Sequence, residues 1–129
     1  MHDLNKLIDV AKKIRKNSHS PYSNYKVGCA LLTKSGKIFS GCNIENDGIM
    51  SICAERVAFT KAISEGERDF EALLVLGGSK DLIYTSPCGY CRQFMSEFCD
   101  KGFPVYMYYG DDKIEKKTLE ELLPGSFNL

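Results

Sequence analysis

Cys88 and Cys91 stand three residues apart in the stretch "SPCGYCRQ", and Cys53 opens the stretch "CAER" thirty-five residues before Cys88. At the start of a helix, a C-x-x-C pair puts both thiols on one face. The pair alone serves two chemistries. In a thioredoxin-like context it is a redox couple, and beside a second pair it closes a structural zinc site. Cys53 supplies a third thiol, with no fourth cysteine obviously clustered with it. Three protein ligands and one open position is the arrangement of a catalytic zinc site. Sulfur donors favour Zn²⁺. Glu55 would then stand beside the open position.

Spacing constrains where such an ion lies. Cys53 and Glu55 are two residues apart, so they do not share a helix face and cannot both reach an ion lying against the helix side. They can both reach one lying off the helix end. Both cysteine-bearing helices are therefore expected to aim their N-termini at the metal, where the positive end of the dipole helps keep cysteines as thiolates. Three thiolates around Zn²⁺ leave a net negative charge that weakens the metal as a Lewis acid. Arg56 follows Cys53 by three residues and shares its face, so its guanidinium is placed to draw electron density off the sulfurs. The plainer alternative is an exposed surface arginine.

These groups need elements to hold them. Leu4, Leu7, Ile8, Ala11 and Ile14 recur at helical spacing behind Asp3, a plausible N-cap. "KVGCALLT", "KSG" and "KIFSGC" read as a β-hairpin with Gly36 in its turn, and "NIENDGIMS" as a polar loop. A largely apolar helix is expected from Ile52 to Ser64, capped by Ser51. "EALLVLGG" is a buried strand, and "CGYCRQFMSEFC" a second buried helix after Pro87. "PVYMYYG" is another strand and "KIEKK" an edge strand. "TLEELLPG" carries a capping box between Thr118 and Glu121. The resulting order, α-β-β-α-β-α-β-β-α, predicts an α/β fold with helices on both faces of a mixed sheet.

The 129 residues fit one domain, residues 1–129, without repeat or linker. Seventeen basic residues balance seventeen acidic ones, which argues against a polyanionic partner such as DNA or RNA and for a small, weakly charged ligand. The opening "MHDLNKLIDVAKKIRK" is broken by charges, so neither a signal peptide nor a membrane span is expected. The six cysteines are expected to stay reduced, in the cytoplasm.

With these motifs in order, the chain resembles the zinc-dependent nucleoside deaminases, most closely the small homotetrameric cytidine deaminases. "SPYSNYKVGCALLTKSGKIFSGCNIEN" is similar to the family's N-terminal half. "CAER" with "SPCGYCRQ" matches its zinc signature with thiolate in place of histidine, and "LLPGSF" resembles its C-terminal segment. The resemblance implies a three-layer α/β/α fold on a five-stranded mixed sheet. It implies Cys53, Cys88 and Cys91 as zinc ligands and Glu55 as the proton shuttle. It also implies Asn43 and Glu45 on the ribose hydroxyls and Tyr25, where the family usually has phenylalanine, near the base. Phe127 would be contributed over the base of a neighbouring subunit's site, within a homotetramer of shared active sites. The implied reaction is hydrolysis of cytidine or 2′-deoxycytidine to the uridine nucleoside and ammonia.

One departure stands out. After "NIEN" the family commonly has a small residue and, two positions later, a tyrosine; this chain has Asp47, Gly48, Ile49 and Met50. Drift in a subunit-contact loop is the plainer reading, and a modified or antibiotic-like cytosine nucleoside as substrate the sharper one. A non-catalytic zinc module is a third reading, opposed by Glu55. A polynucleotide editor is weaker still. His2 and His19 read as solvated, Cys29, Cys42 and Cys99 as inert core thiols, and Phe103, Tyr106, Tyr108 and Tyr109 as packing groups. Lys12 to Lys16 reads as a wet helix face.

Overall fold

Helix α1 (Leu4–Arg15) starts where Asp3 accepts the Lys6 N–H at 3.2 Å, supplying a partner for one of the first-turn amides. The structure, a computed structural model, describes residues 3–47 and 50–129. Strands β1 (Lys26–Thr33) and β2 (Ile38–Cys42) form the expected hairpin, with Gly36 at φ +94° in the turn. Helix α2 (Ala54–Ser64), strand β3 (Phe70–Gly78), helix α3 (Gly89–Phe98), strands β4 (Pro104–Tyr108) and β5 (Ile114–Thr118) and the short helix α4 (Leu119–Leu122) follow in the expected order. The capping box between Thr118 and Glu121 is formed.

The five strands make one mixed sheet in the order β2-β1-β3-β4-β5, with β3 and β4 parallel and the other pairs antiparallel. Alternation along β3 sorts the two faces. Leu73 and Val75 join Cys29, Leu31, Ala58, Phe59, Met95 and Met107 in one cluster, which packs α2 and α3. Ala72, Leu74 and Leu76 join Leu7, Ala11, Ala30 and Tyr106 in the other, which packs α1. This is the expected three-layer α/β/α arrangement. With helices over both faces, β3 can be apolar from Ala72 to Leu76.

Two glycines let the helices settle on the sheet from opposite sides. A Cβ on Gly28 would lie 2.2 Å from the Ala11 carbonyl oxygen in α1. A Cβ on Gly41 would lie 2.2 Å from the Ala54 oxygen and 2.7 Å from the Ala58 nitrogen in α2. Both obstacles are backbone and cannot swing away. Gly41→Ala is therefore expected to cost about 1–3 kcal/mol, read as a lower urea midpoint. An unchanged midpoint would show that α2 can lift without penalty. The Cys29 thiol adds a tie from β1, donating to the Ala54 carbonyl at 3.2 Å.

The Lys12–Lys16 segment is not uniformly wet. Arg15 donates through Nε to the Lys26 carbonyl at 3.0 Å, and through Nη2 to the carbonyls of Gly78 and, at 3.1 Å, Lys80. It thereby fastens α1 to the start of β1 and the end of β3. A run of cations on one helix does not reveal which of them will find carbonyls across the sheet.

Candidate metal centre

Both cysteine-bearing helices begin at the same place. Cys53 is the N-cap of α2 (φ −74°, ψ 152°) and Cys88 the N-cap of α3 (φ −68°, ψ 167°). In both, extended backbone carries the thiol off the helix end, as the spacing argument requires. Helix α2 starts at Ala54 rather than Ile52, because the backbone of Ile52 is paired with Ile44 through bonds of 2.9 and 3.0 Å. The N-cap position expected at Ser51 falls at Cys53, whose side chain makes no capping hydrogen bond.

Cys91 lies in the first turn of α3, fully buried. Its Sγ is 3.6 Å from that of Cys88, and Cys88 Sγ is 3.6 Å from Cys53 Sγ. The three sulfurs all lie within 4.8 Å of one another. Tetrahedral zinc with Zn–S bonds of about 2.3 Å asks for sulfurs about 3.8 Å apart, so the donor set fits the ion. Among the described residues no other group of three histidine, cysteine or carboxylate side chains gathers this way.

The charges fit as well. The Cys53 thiol is held down at about 5, chiefly by a hydrogen bond from Cys91, against the cost of burial, and further by Arg56 and Cys88. Cys91 is pushed well above the ordinary thiol range, first because it donates to Cys53 and then by burial and the charge of Glu55. One thiolate thus opposes the next, a conflict that a dication removes.

Arg56 is placed as its spacing predicts. Its Nη2 lies 3.6 Å from Cys53 Sγ and 3.5 Å from the Ser51 carbonyl oxygen. Glu55, in the first turn of α2, is only 4% exposed. Burial pushes its carboxyl up to about 7 and the Cys53 charge adds to this, while its own backbone N–H and Arg56 pull the other way. Its charge helps raise the thiols of both Cys91 and Cys29.

The Ile44–Ile52 pairing carries Asn43 and Glu45 to the Cys53 side of the molecule. Both are braced by the segment before β1. Asn43 Oδ1 accepts from the Val27 N–H at 2.9 Å and from the Ser18 hydroxyl, and its Nδ2 donates to the Tyr25 carbonyl at 2.8 Å. Glu45 accepts from the backbone N–H groups of Tyr22 (2.9 Å) and Ser23 (3.1 Å) and from the Ser23 hydroxyl, which lowers its pKa. Tyr25 is hydrogen-bonded through its hydroxyl to Thr85, on the loop leading to Cys88. Phe127 is 67% exposed; its carbonyl accepts from Gln93 Nε2 at 3.0 Å, and it lines a crevice with Ser96 and Glu97 on the outer side of α3. Asp47 and Met50 are exposed, whereas Gly48, Ile49 and His2 lie outside the described residues.

Several supporting groups escape sequence reasoning. Ser18 and Ser23 brace Asn43 and Glu45, and only their place in "SHSPYSNY" hints at it. Arg92 donates to the carbonyls of Pro87 (2.7 Å) and Leu122 (2.7 Å) and to the Ser86 hydroxyl (3.1 Å), tying the start of α3 to the C-terminal segment. The Tyr90 ring lies 4.0 Å from the Arg56 guanidinium. Cys29 and Cys42 are buried as read, whereas Cys99, at the C-cap of α3, is only half-buried against the core, with burial pushing its thiol up to about 12. Phe103, Tyr106 and Tyr108 pack the two cores, Tyr109 packs against Tyr84, and His19 is exposed.

A three-sulfur cradle at the meeting ends of two helices, on a five-stranded mixed sheet, defines a zinc-dependent class of protein. Residues 1–107 match the family model described as "Cytidine and deoxycytidylate deaminase zinc-binding region". The chain is 47% identical over 127 residues to a cytidine deaminase of Sporosarcina psychrophila, covering 98% of this chain and 92% of the relative. It is 46% identical to a probable cytidine deaminase of Dictyostelium discoideum, covering 98% of this chain and 84% of that one. The crystal structure of the cytidine deaminase from Burkholderia pseudomallei superposes with a TM-score of 0.89 at 38% identity, over 98% of this chain and all of that one. The chain belongs to the cytidine and deoxycytidylate deaminase family, whose members are zinc-dependent hydrolases.

Proposed function

We propose that this chain hydrolyses the exocyclic amino group of cytidine and 2′-deoxycytidine, giving the uridine nucleoside and ammonia. The observation that carries this reading is a buried carboxylate, Glu55, two residues from the first of three gathered sulfurs. A purely structural zinc site has no use for it.

Zinc held by Cys53, Cys88 and Cys91 supplies the Lewis acidity that lets water become a nucleophile near neutral pH. Glu55 takes a proton from that water and passes it to N3 of the cytosine ring, which makes C4 electrophilic. After attack at C4, Glu55 carries the second proton to the departing amine, so that one water is consumed and one ammonia released. Arg56 offsets the surplus charge of the thiolates through its contact with Cys53. On the sugar side, Glu45 accepts from a ribose hydroxyl and Asn43 offers its remaining N–H, both held in place by the 18–25 segment. Tyr25 borders the base.

The site faces outward in the single chain, since Cys88, Gly89 and Tyr90 are exposed. A neighbour's Phe127, itself exposed, is suited to cover it, which supports a homotetramer with shared sites. No described helix is long and apolar enough to cross a membrane. Free thiols as ligands suit a reducing compartment, so the reading places this single-domain enzyme in the cytoplasm. The balanced charge gives it no electrostatic footprint for nucleic acid.

The test is an ultraviolet assay of the purified protein on cytidine, 2′-deoxycytidine and an N4- or sugar-modified cytosine nucleoside, with zinc measured on the same sample. The plain nucleosides are expected to give the highest rates at one zinc per chain. An optimum on the modified substrate would favour the second reading, motivated by exposed Asp47 beside the sugar-binding stretch. Stoichiometric zinc without any deamination would leave a structural zinc module.

A further inference from the structure

Tyr90 is the second residue between the two cysteines of the C-x-x-C stretch, and it does not behave as a surface residue that happens to lie there. Its side chain projects from the first turn of α3 at 64% exposure, yet its ring is placed 4.0 Å from the centre of the Arg56 guanidinium. Arg56 comes from the other helix, α2. The contact therefore bridges the two elements whose ends make the metal cradle.

Arg56 needs such a partner. Its guanidinium is divided among several acceptors. Nη2 serves both Cys53 Sγ at 3.6 Å and the Ser51 carbonyl at 3.5 Å, the second a long bond, and Cys91 also draws on the same group. Its Nε is buried without a hydrogen-bond partner. Among the described residues no carboxylate forms a salt bridge with it. A long side chain divided among these acceptors, with Nε unpaired, still has rotamer freedom to lose. An aromatic face over the guanidinium plane shields it from solvent and restricts its swing without competing for its hydrogen-bond donors.

We infer that Tyr90 is a positioning residue for the metal centre: its ring clamps Arg56 against Cys53 and thereby strengthens zinc retention. The inference rests on the proposed roles of Cys53 as ligand and Arg56 as its charge partner. The ring face does the work, so phenylalanine at this position is sufficient and the phenol hydroxyl is dispensable.

The test is zinc affinity, measured by competition with a chromophoric chelator, on the wild-type chain, Tyr90→Ala, Tyr90→Phe, Arg56→Gln and the double variant Tyr90→Ala/Arg56→Gln. Cation–π contacts at partly exposed sites correspond to roughly a threefold to tenfold effect, and that is the expected weakening in Tyr90→Ala. Tyr90→Phe should match wild type. In the Arg56→Gln background, removing the ring should change nothing further, because there is no cation left to clamp. A Tyr90→Ala chain with wild-type affinity would overturn the inference. So would equal losses with and without Arg56, or a Tyr90→Phe chain as weak as Tyr90→Ala. A wild-type chain that retains no zinc would overturn the metal reading beneath it, a result distinct from any of these.

Discussion

Glu55→Gln should keep one zinc per chain and lose cytidine turnover by about a thousandfold, in the range that general acid–base groups contribute. The two side chains have nearly the same shape, so α2 should still begin at Cys53 and the sulfurs should stay gathered. What disappears is the capacity to take a proton at one atom and release it at another. The reaction needs that capacity twice, first from water to N3 and then to the leaving amine. The amide can still hydrogen-bond a substrate, so KM should change far less than kcat. Single-turnover kinetics with parallel metal analysis would check this. A zinc-loaded Gln variant turning over within tenfold of wild type would remove Glu55 from the proton path.

Cys91→Ser should remove both zinc and activity. Of the three sulfurs, Cys91 is the fully buried one, and Cys53 depends first on its hydrogen bond. A serine hydroxyl is a poor zinc donor beside two thiolates. Zinc that binds only the folded chain raises its stability, by about 4 kcal/mol when free metal exceeds Kd a thousandfold. The wild-type melting temperature should therefore rise on titration with zinc and fall with chelator, whereas the variant should respond to neither. A variant that holds stoichiometric zinc, or melts with the same zinc dependence, would mean that the three thiols are not the ligand set.

The order of elements is legible in the sequence, because it follows from hydrophobic period and turn chemistry, and so is the burial of β3, from its continuous apolar run. So is the placement of Arg56 on Cys53, since three residues along a helix is a local relation. Contacts that depend on the folded sheet are another matter. The stretch after Cys42 reads as a polar loop, yet single-residue bridges tie Ile44 to both His19 and Ile52, and these shift the start of α2. Arg15 looks like one cation of a wet run until the Gly78 carbonyl, distant in sequence, comes within reach. The bracing of Asn43 and Glu45 by Ser18 and Ser23, and of Arg56 by Tyr90, joins residues with no periodic relation at all. The three gathered thiols are legible because metal-binding chemistry restricts residue type; their supports are not, because many residue types can provide them.

Cys53 precedes β3 in the chain while Cys88 and Cys91 follow it, and β3 is the middle strand, flanked by β1 and β4. Before that strand is seated, α3 offers only a two-toothed clasp, and the third tooth is elsewhere. On the proposed ligand set, ion capture at full strength is expected late in assembly, as a latch on a finished sheet rather than a seed for it. Zinc uptake during refolding is a reporter of the moment the central strand locks in.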